Sequence, residues 1–226
     1  DRTPMATVLI LGASRGIGFE FAGQYREAGD RVIATARDDA GLARLRDIGA
    51  EALRVDVADP ASVSGLAWQL DGVEIDVALY VAGVMDRAGA HTPPTREAFD
   101  RVMHANVLGA MQAMPQVMPG VQAAGGVFGV LSSAMSQIGA VAADNAWLYR
   151  VSKAALNMMV ASARHAWPGA RCVALDPGWV QTDMGGASAP LTIEASVAGL
   201  RHVIATLTDE DNGHLIHHDG RRAATW

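Results

Sequence analysis

The chain reads as an α/β domain with a doubly wound, mostly parallel sheet of about seven strands and helices on both faces. Three observations predict this. Short apolar, β-branched runs alternate with longer helical patterns along almost the whole length. The first run ends in a glycine-rich turn, Gly12 to Gly18, that opens into a helix. The 226 residues, 50% of them apolar, suit one domain with one sizeable core. A glycine-rich half runs to about residue 90, and residues 91–226 carry the reactive side chains.

Composition removes several function classes. With 18 Lys plus Arg against 24 Asp plus Glu the formal charge is −6, which argues against a nucleic-acid backbone as partner. One cysteine, Cys172, excludes an internal disulfide framework and a cysteine-rich metal site. The 7 histidines lack metal-ligand spacing, so no metal is expected, and His217 and His218 read as surface residues. No cationic segment leads into a signal-like apolar run, and no run reaches the roughly 18 apolar residues that span a bilayer. The expected compartment is the cytoplasm, with no membrane partner. The chain begins at Asp1 rather than Met, so a few residues are expected to be missing or processed.

The elements follow in order. Thr7 to Leu11 is a strand, and Phe19 to Ala28 a helix. Between them, Gly12 turns the chain, Gly16 lets backbone approach a phosphate, and Gly18 lets helix and sheet pack closely. Free N–H groups at the helix start, around Ser14, Arg15, Gly16 and Ile17, would hold a pyrophosphate. This is the dinucleotide-binding turn of a Rossmann fold. Arg31 to Ala36 is the second strand, whose end meets the adenosine ribose in such folds. Arg37 stands there instead of an acid, with Arg15 nearby, which favours NADP(H) over NAD(H). Asp38 and Asp39 read as caps of the helix to Ile48; Asp38 aimed at the ribose would weaken that preference.

Glu51 to Val55 is the third strand, followed by Asp56 and Val57, with Asp56 placed for an adenine amino group. Asp59 and Pro60 start a helix to about Leu70. Ile75 to Tyr80 is the fourth strand. The small residues Ala82 and Gly83 at its exit would let a nicotinamide lie close to the backbone. After the loop 84–94, Glu97 to about Met118 is largely helical and carries Asn106; Pro115 and Pro119 are expected to kink or end it. Gly126 to Leu131 is the fifth strand, ending at Ser132 and Ser133. A long, flexible-looking linker, Ala134 to Ala146, precedes the helix of Tyr149 and Lys153. Arg171 to Leu175, Thr192 to Leu207 and Gly213 to His217 are the sixth strand, another helix and a last short strand.

Tyr149 and Lys153 stand four apart, on one face of a helix. A phenol beside an ammonium is a proton-transfer pair, and the charge is expected to pull the phenol pKa below its reference near 10. Lys153 is the only lysine in the chain; arginine takes every other basic position. That suggests a role a guanidinium cannot fill.

Together these pieces resemble the short-chain dehydrogenase/reductase family: Gly12, Gly16 and Gly18; Asp56 and Val57; Ala82 and Gly83; Asn106; Ser132 and Ser133; Tyr149 and Lys153; Pro177 and Gly178. They run in family order across nearly the whole chain. The 16-residue step from Ser133 to Tyr149, and the runs from Tyr149 and from Pro177 to Met184, resemble the small C-factor-like and sniffer-like carbonyl reductases. The resemblance implies that Tyr149 is the general acid/base and that Ser133, or its rival Ser132, hydrogen-bonds the substrate oxygen. Lys153 would bind the nicotinamide ribose, and Asn106 would hold a water that extends the proton relay. Pro177, Gly178, Val180 and Thr182 would line the nicotinamide side. Val81 replaces the usual Asn before Ala82, which puts local sheet geometry in question. Ser136 is expected at the loop surface, with a third pocket hydroxyl as the alternative.

The implied reaction is NADPH-dependent reduction of a small, largely apolar ketone or aldehyde. Met85, Trp147, Trp179 and Met184 are the candidate pocket walls, and no arginine stands out for a substrate carboxylate, Arg87 and Arg150 being the nearest. Alternatives are an NAD(P)-binding sensor with little turnover and an NAD-dependent secondary-alcohol dehydrogenase. Two helices, near 105–118 and 149–165, are apolar on more than the face that covers the sheet. They are expected to pair in a homodimer, with a homotetramer as the extension.

Overall fold

The computed structural model describes residues 5–226; the start of the chain at Asp1 lies outside them. In chain order the elements are β1 (Thr7–Leu11), α1 (Gly16–Glu27), β2 (Arg31–Ala36), α2 (Asp39–Asp47), β3 (Glu51–Arg54), α3 (Pro60–Val63), α4 (Leu66–Gln69), β4 (Val77–Tyr80), α5 (Arg96–Met103), α6 (Gly109–Ala123), β5 (Val127–Leu131), α7 (Trp147–Ala163), β6 (Arg171–Asp176), α8 (Ile193–Thr206) and β7 (Leu215–His217). The sheet order is β3-β2-β1-β4-β5-β6-β7, every neighbouring pair parallel. The chain starts mid-sheet, winds outward to β3, returns to the centre at β4 and winds the other way. The reversal between β1 and β4 opens the crevice where such sheets bind ligands.

Alternate strand residues feed opposite layers. Leu9 and Leu11 pack with Met114, Met118, Leu156 and Val160 of α6 and α7. Val8 and Ile10 pack with Phe21, Leu42, Leu45, Leu200 and Val203 of α1, α2 and α8. Each fully buried side chain of this kind contributes about 1.5–3 kcal/mol. Val81 does not disturb the sheet: the β1–β4 register runs to Leu11 opposite Tyr80, and the Val81 N–H reaches the Leu11 carbonyl at 2.9 Å.

Three expectations need correcting. The helix expected from Asp59 to Leu70 is two short ones. Asp59 caps the first, accepting from the Ala61 N–H at 3.0 Å. Ser64 and Gly65 then interrupt it, the Ser64 hydroxyl bonding back to the Ala61 carbonyl at 2.7 Å.

Pro115 and Pro119 do not end their helix; both lie inside α6. With Met111, 53% exposed, they form its outward stripe, while Met114, Val117, Met118 and Val121 are buried. Burial of that inner face outweighs two missing ladder hydrogen bonds. The irregularity comes earlier, in the π-helical turn His104–Leu108 that joins α5 to α6.

Finally, Ala134 to Ala146 is not a free linker. It carries 3₁₀ turns at Ala134–Ser136 and Ile138–Ala140.

Candidate active site

The β1–α1 turn is built from backbone. Gly12 has φ +92°, and a Cβ there would lie 2.7 Å from Ala82. A Cβ at Gly18 would lie 2.2 Å from the Gly12 carbonyl oxygen, whereas one at Gly16 would meet nothing within 4 Å. Glycine is therefore required at the first two positions by close approach, and Gly16 leaves open space over the turn. Arg15 precedes α1 without a side-chain cap, so the first N–H groups of a 12-residue helix remain available to an anion. Such a cradle fits a pyrophosphate.

The basic residues expected at the ribose sit around this turn. Arg37 is exposed just past β2. Arg15 is exposed and pairs with Asp183 at 2.9 Å. Arg44 reaches the Ser14 carbonyl at 3.0 Å, and Arg54 reaches the Arg37 carbonyl at 2.9 Å. Asp38 caps α2, its Oδ1 accepting from the Gly41 N–H at 2.7 Å. Asp56 accepts from the Ala58 N–H at 3.0 Å, in the turn that leads through Val57.

Tyr149 and Lys153 lie on the buried face of α7, 6% and 3% exposed. The Lys153 Nζ is 5.6 Å from the Tyr149 ring centre and donates to the Leu131 carbonyl at 2.6 Å. An ammonium has three donors, so two remain to be matched. Asn106 and Lys153 flank Gly83: a Cβ on that glycine would lie 3.3 Å from Asn106 Oδ1 and 3.4 Å from Lys153 Nζ. The donors and the bare glycine fit a ribose and a flat ring at the exit of β4.

The pKa expectation for Tyr149 is overturned. Burial pushes the phenol up to about 12, with Ser133's hydrogen bond lowering it and Asp176's charge raising it. Burial also pushes Lys153 down to about 8. Desolvation thus acts on both partners of the pair, and the ammonium's pull does not offset it.

Ser132 and Ser133 point to opposite sides of the β5 exit. Ser132 is buried and donates to Asn157 Oδ1 at 2.6 Å. Ser133 is part-buried and accepts from the Met135 N–H at 3.1 Å; it lies near enough to the Tyr149 hydroxyl to lower that phenol's pKa. Ser136 is neither a surface nor a pocket residue. It is 3% exposed, takes a hydrogen bond from Asn157 Nδ2 at 2.7 Å and donates to the Ser133 carbonyl at 2.5 Å. Asn157, one turn beyond Lys153, thereby ties α7 to the backbone of Ser133.

Asn106 stands in the π-helical turn, fully buried. Its Oδ1 accepts from the Val84 N–H at 2.8 Å, and its Nδ2 donates to the Val84 carbonyl and Ser152 Oγ, both at 2.9 Å. Its amide is spent on holding the chain after Gly83. The Tyr80 hydroxyl takes up the neighbouring Ala105 carbonyl at 2.6 Å.

On the β6 side, Pro177 and Val180 are buried, and a Cβ at Gly178 (φ +78°) would lie 2.8 Å from the His218 ring. Thr182 Oγ1 accepts from the Gly185 N–H at 2.9 Å.

The chain matches the family model described as short chain dehydrogenase over residues 6–190. It belongs to the short-chain dehydrogenase family. It is 33% identical over 226 residues, covering 96% of this chain and 98% of the relative, to 1-hydroxy-2-glutathionyl-2-methyl-3-butene dehydrogenase of Rhodococcus sp. strain AD45. Among solved structures it is similar to an NADP-bound short-chain dehydrogenase/reductase of Burkholderia multivorans, TM-score 0.87 at 29% identity, covering 99% of this chain and 100% of that one. The carbonyl reductase Sniffer of D. melanogaster shares the fold, TM-score 0.91 at 24% identity, covering 98% and 100%.

As a short-chain dehydrogenase, this chain also carries residues that sequence reasoning missed. Asp176 is 4% exposed at the end of β6. Its Oδ1 accepts from the Ala134 N–H at 2.9 Å and the Gly178 N–H at 3.2 Å, and its Oδ2 meets His217 Nδ1 at 2.7 Å. His217 is therefore no surface histidine; its side chain is 14% exposed. An acid at a strand's carboxyl end, on the ligand side of the sheet, was the available signal.

Of the expected pocket walls, Met85, Trp147 and Met184 are part-buried and Trp179 is 58% exposed. Arg87 donates to the Met184 carbonyl at 2.6 Å and Arg150 to the Asn145 carbonyl at 2.8 Å. Among the described residues there is no metal-binding group of His, Cys, Asp or Glu, and no helix long and apolar enough to cross a membrane.

Proposed function

We propose that this chain catalyses the NADPH-dependent reduction of a small, largely apolar ketone or aldehyde, with Tyr149 as the general acid. The observation that carries the reading is the burial of Tyr149 and Lys153 on one face of α7, beside Ser133, with ammonium donors unspent at the exit of β4. A nicotinamide cofactor, when bound here, would supply hydride to the carbonyl carbon. Negative charge then grows on the carbonyl oxygen, where Ser133 and Tyr149 donate hydrogen bonds. A phenol held protonated up to about pH 12 keeps its proton until the oxygen becomes basic enough to take it. Lys153 holds the ribose hydroxyls and returns a proton to Tyr149. Asn106 serves the relay by fixing Val84, and with it Gly83, beside the Lys153 amine; a relay water would sit against this turn.

Gly12, Ser14, Arg15, Gly16, Ile17 and Gly18 would hold the pyrophosphate, Arg37 with Arg15 the 2′-phosphate, and Asp56 with Val57 the adenine. Ala82, Gly83, Pro177, Gly178, Val180 and Thr182 would enclose the nicotinamide. Similar structures solved with bound cofactor support NADP(H): the Burkholderia protein, and a carbonyl reductase from chicken fatty liver, TM-score 0.87 at 26% identity, covering 99% of this chain and 100% of that one. The helix-cap bond of Asp38 to the Gly41 N–H gives that acid a structural use beside Arg37.

The Rhodococcus relative carries a dehydrogenase name, so the assay runs in both directions. NADPH consumption with a panel of carbonyls, and NADP or NAD reduction with secondary alcohols, are measured with Tyr149→Phe alongside. Turnover lost in Tyr149→Phe with NADPH binding retained is the expected result. Tight cofactor binding with no turnover on any substrate would favour the sensor reading instead. Met111, Pro115 and Pro119 form an outward stripe on α6, and Val151 and Met158 are exposed on α7. These outward apolar faces support a homodimer, and a cytoplasmic compartment is part of the same proposal.

A further inference from the structure

We propose that Asp176, backed by His217, is a positioning residue for proton transfer at Tyr149: one carboxylate fixes both the serine loop and the loop facing the nicotinamide. The inference rests on the site reading above and deepens it.

The two loops are far apart in sequence. One begins at Ala134, next to Ser133; the other is Pro177 and Gly178. Asp176 Oδ1 accepts an N–H from each, Ala134 at 2.9 Å and Gly178 at 3.2 Å. Its Oδ2 is held by His217 Nδ1 at 2.7 Å. The His217 N–H in turn reaches the Arg221 carbonyl at 2.9 Å, and the His218 N–H reaches the Asp176 carbonyl at 2.9 Å, so the imidazole is anchored by backbone on both sides of β7. A carboxylate at 4% exposure costs free energy unless it is fully paired, and here three donors meet it. A neutral hydrogen-bond acceptor would close a strand end at lower desolvation cost. The charge is the feature a purely structural role leaves without a use.

After burial, which is the main cause, the charge on this carboxylate also raises the Tyr149 pKa and so opposes loss of the phenolic proton. The ionisable groups around the carboxylate are Tyr149 on α7, with Lys153 one turn on, His217 on β7, and His218, whose ring lies against Gly178. Arg221 in the same turn spends its guanidinium on Asp219 at 2.7 Å.

Asp176→Asn separates charge from geometry. The amide oxygen can still accept from Ala134 and Gly178, and the amide nitrogen can donate to His217 Nδ1 in the tautomer that leaves that nitrogen unprotonated. The expected result is an unchanged melting temperature, kcat within about threefold on the plateau, and the pH limb for Tyr149 ionisation moved down by roughly half a unit or more. Asp176→Ala removes all three hydrogen bonds. It is expected to lower kcat by about tenfold or more and to speed amide exchange at Ala134 and Gly178. An unmoved pH limb in Asp176→Asn overturns the proposal, even if Asp176→Ala does not fold. Unchanged exchange at Ala134 and Gly178 in a folded Asp176→Ala overturns it as well. Amide exchange needs neither cofactor nor turnover. If the wild type reduces no carbonyl while exchange responds as expected, the function reading fails and the latch stands.

Discussion

The β1–α1 turn and the β5–α7 segment make the two halves of the candidate site by opposite means. The first works by leaving side chains out: Gly12 and Gly18 each have backbone where a Cβ would go. The second works by filling space with polar side chains that satisfy one another. Ser132, Asn157 and Ser136 run to the Ser133 carbonyl, and Asp176 runs to the Ala134 N–H. A backbone-built cradle tolerates almost no substitution, since added atoms meet rigid chain. A side-chain network is expected to degrade by degrees, losing alignment before it loses the fold.

Ranked substitutions test that contrast. Gly12→Ala should be the most damaging. Left-handed backbone costs about 1–2 kcal/mol for a residue with a Cβ, and overpacking against Ala82 adds about 1–3 kcal/mol. The outcome should be loss of NADPH binding in a fluorescence titration together with a lower melting temperature; wild-type affinity would mean that the turn can relax.

Next comes Lys153→Met, compared with wild type across pH. A base whose folded pKa lies below its unfolded one weighs against the fold at neutral pH. The penalty fades as pH rises from about 8 to about 10.5. The shift corresponds to roughly 3 kcal/mol. The stability of wild type relative to the methionine variant should therefore improve by about that amount over this window in urea melts. A constant difference would show that the amine is not desolvated.

Asn157→Ala should cost about 2 kcal/mol, because Ser132 and Ser136 lose buried partners. It should lower kcat more than it raises KM, since Ser133, which we propose to face the substrate, loosens without leaving. Equal loss in both terms, with Ser133 still ordered by exchange, would place the network outside the chemistry.

The smallest effect concerns the start of α7, where Ala146 has φ 52°. Ala146→Gly relieves left-handed strain of about 1–2 kcal/mol and gives back about 0.5–1 kcal/mol in chain entropy. A net gain below about 1 kcal/mol in the urea midpoint is expected. A loss would mean that the residue is held there without strain.

The same contrast decides what could be read from sequence. Glycine at Gly12 and Gly18 announces a backbone requirement by residue type, and alternating apolar periods announce the sheet. The parallel order and the Tyr149–Lys153 face followed from them. Asn157 and Asp176 gave weaker signals. An asparagine in an apolar helix and an acid at a strand end have many uses, and these partners lie 21 to 42 residues away in the chain. The prolines of α6 misled for a related reason: local chemistry argued for a break, and burial of the opposite face decided otherwise. The direction of the Tyr149 pKa was misread because spacing reveals a neighbour's charge but not the dryness around it.

One consequence concerns labelling chemistry. Lys153 is the only lysine in the chain and is 3% exposed, while all the other basic side chains are arginine or histidine. Apart from the terminal amine, an acylating reagent has a single target, reachable only when the site opens. The rate of its modification would therefore report local opening of this one cleft, and occupation by a dinucleotide should slow it without any substrate in hand.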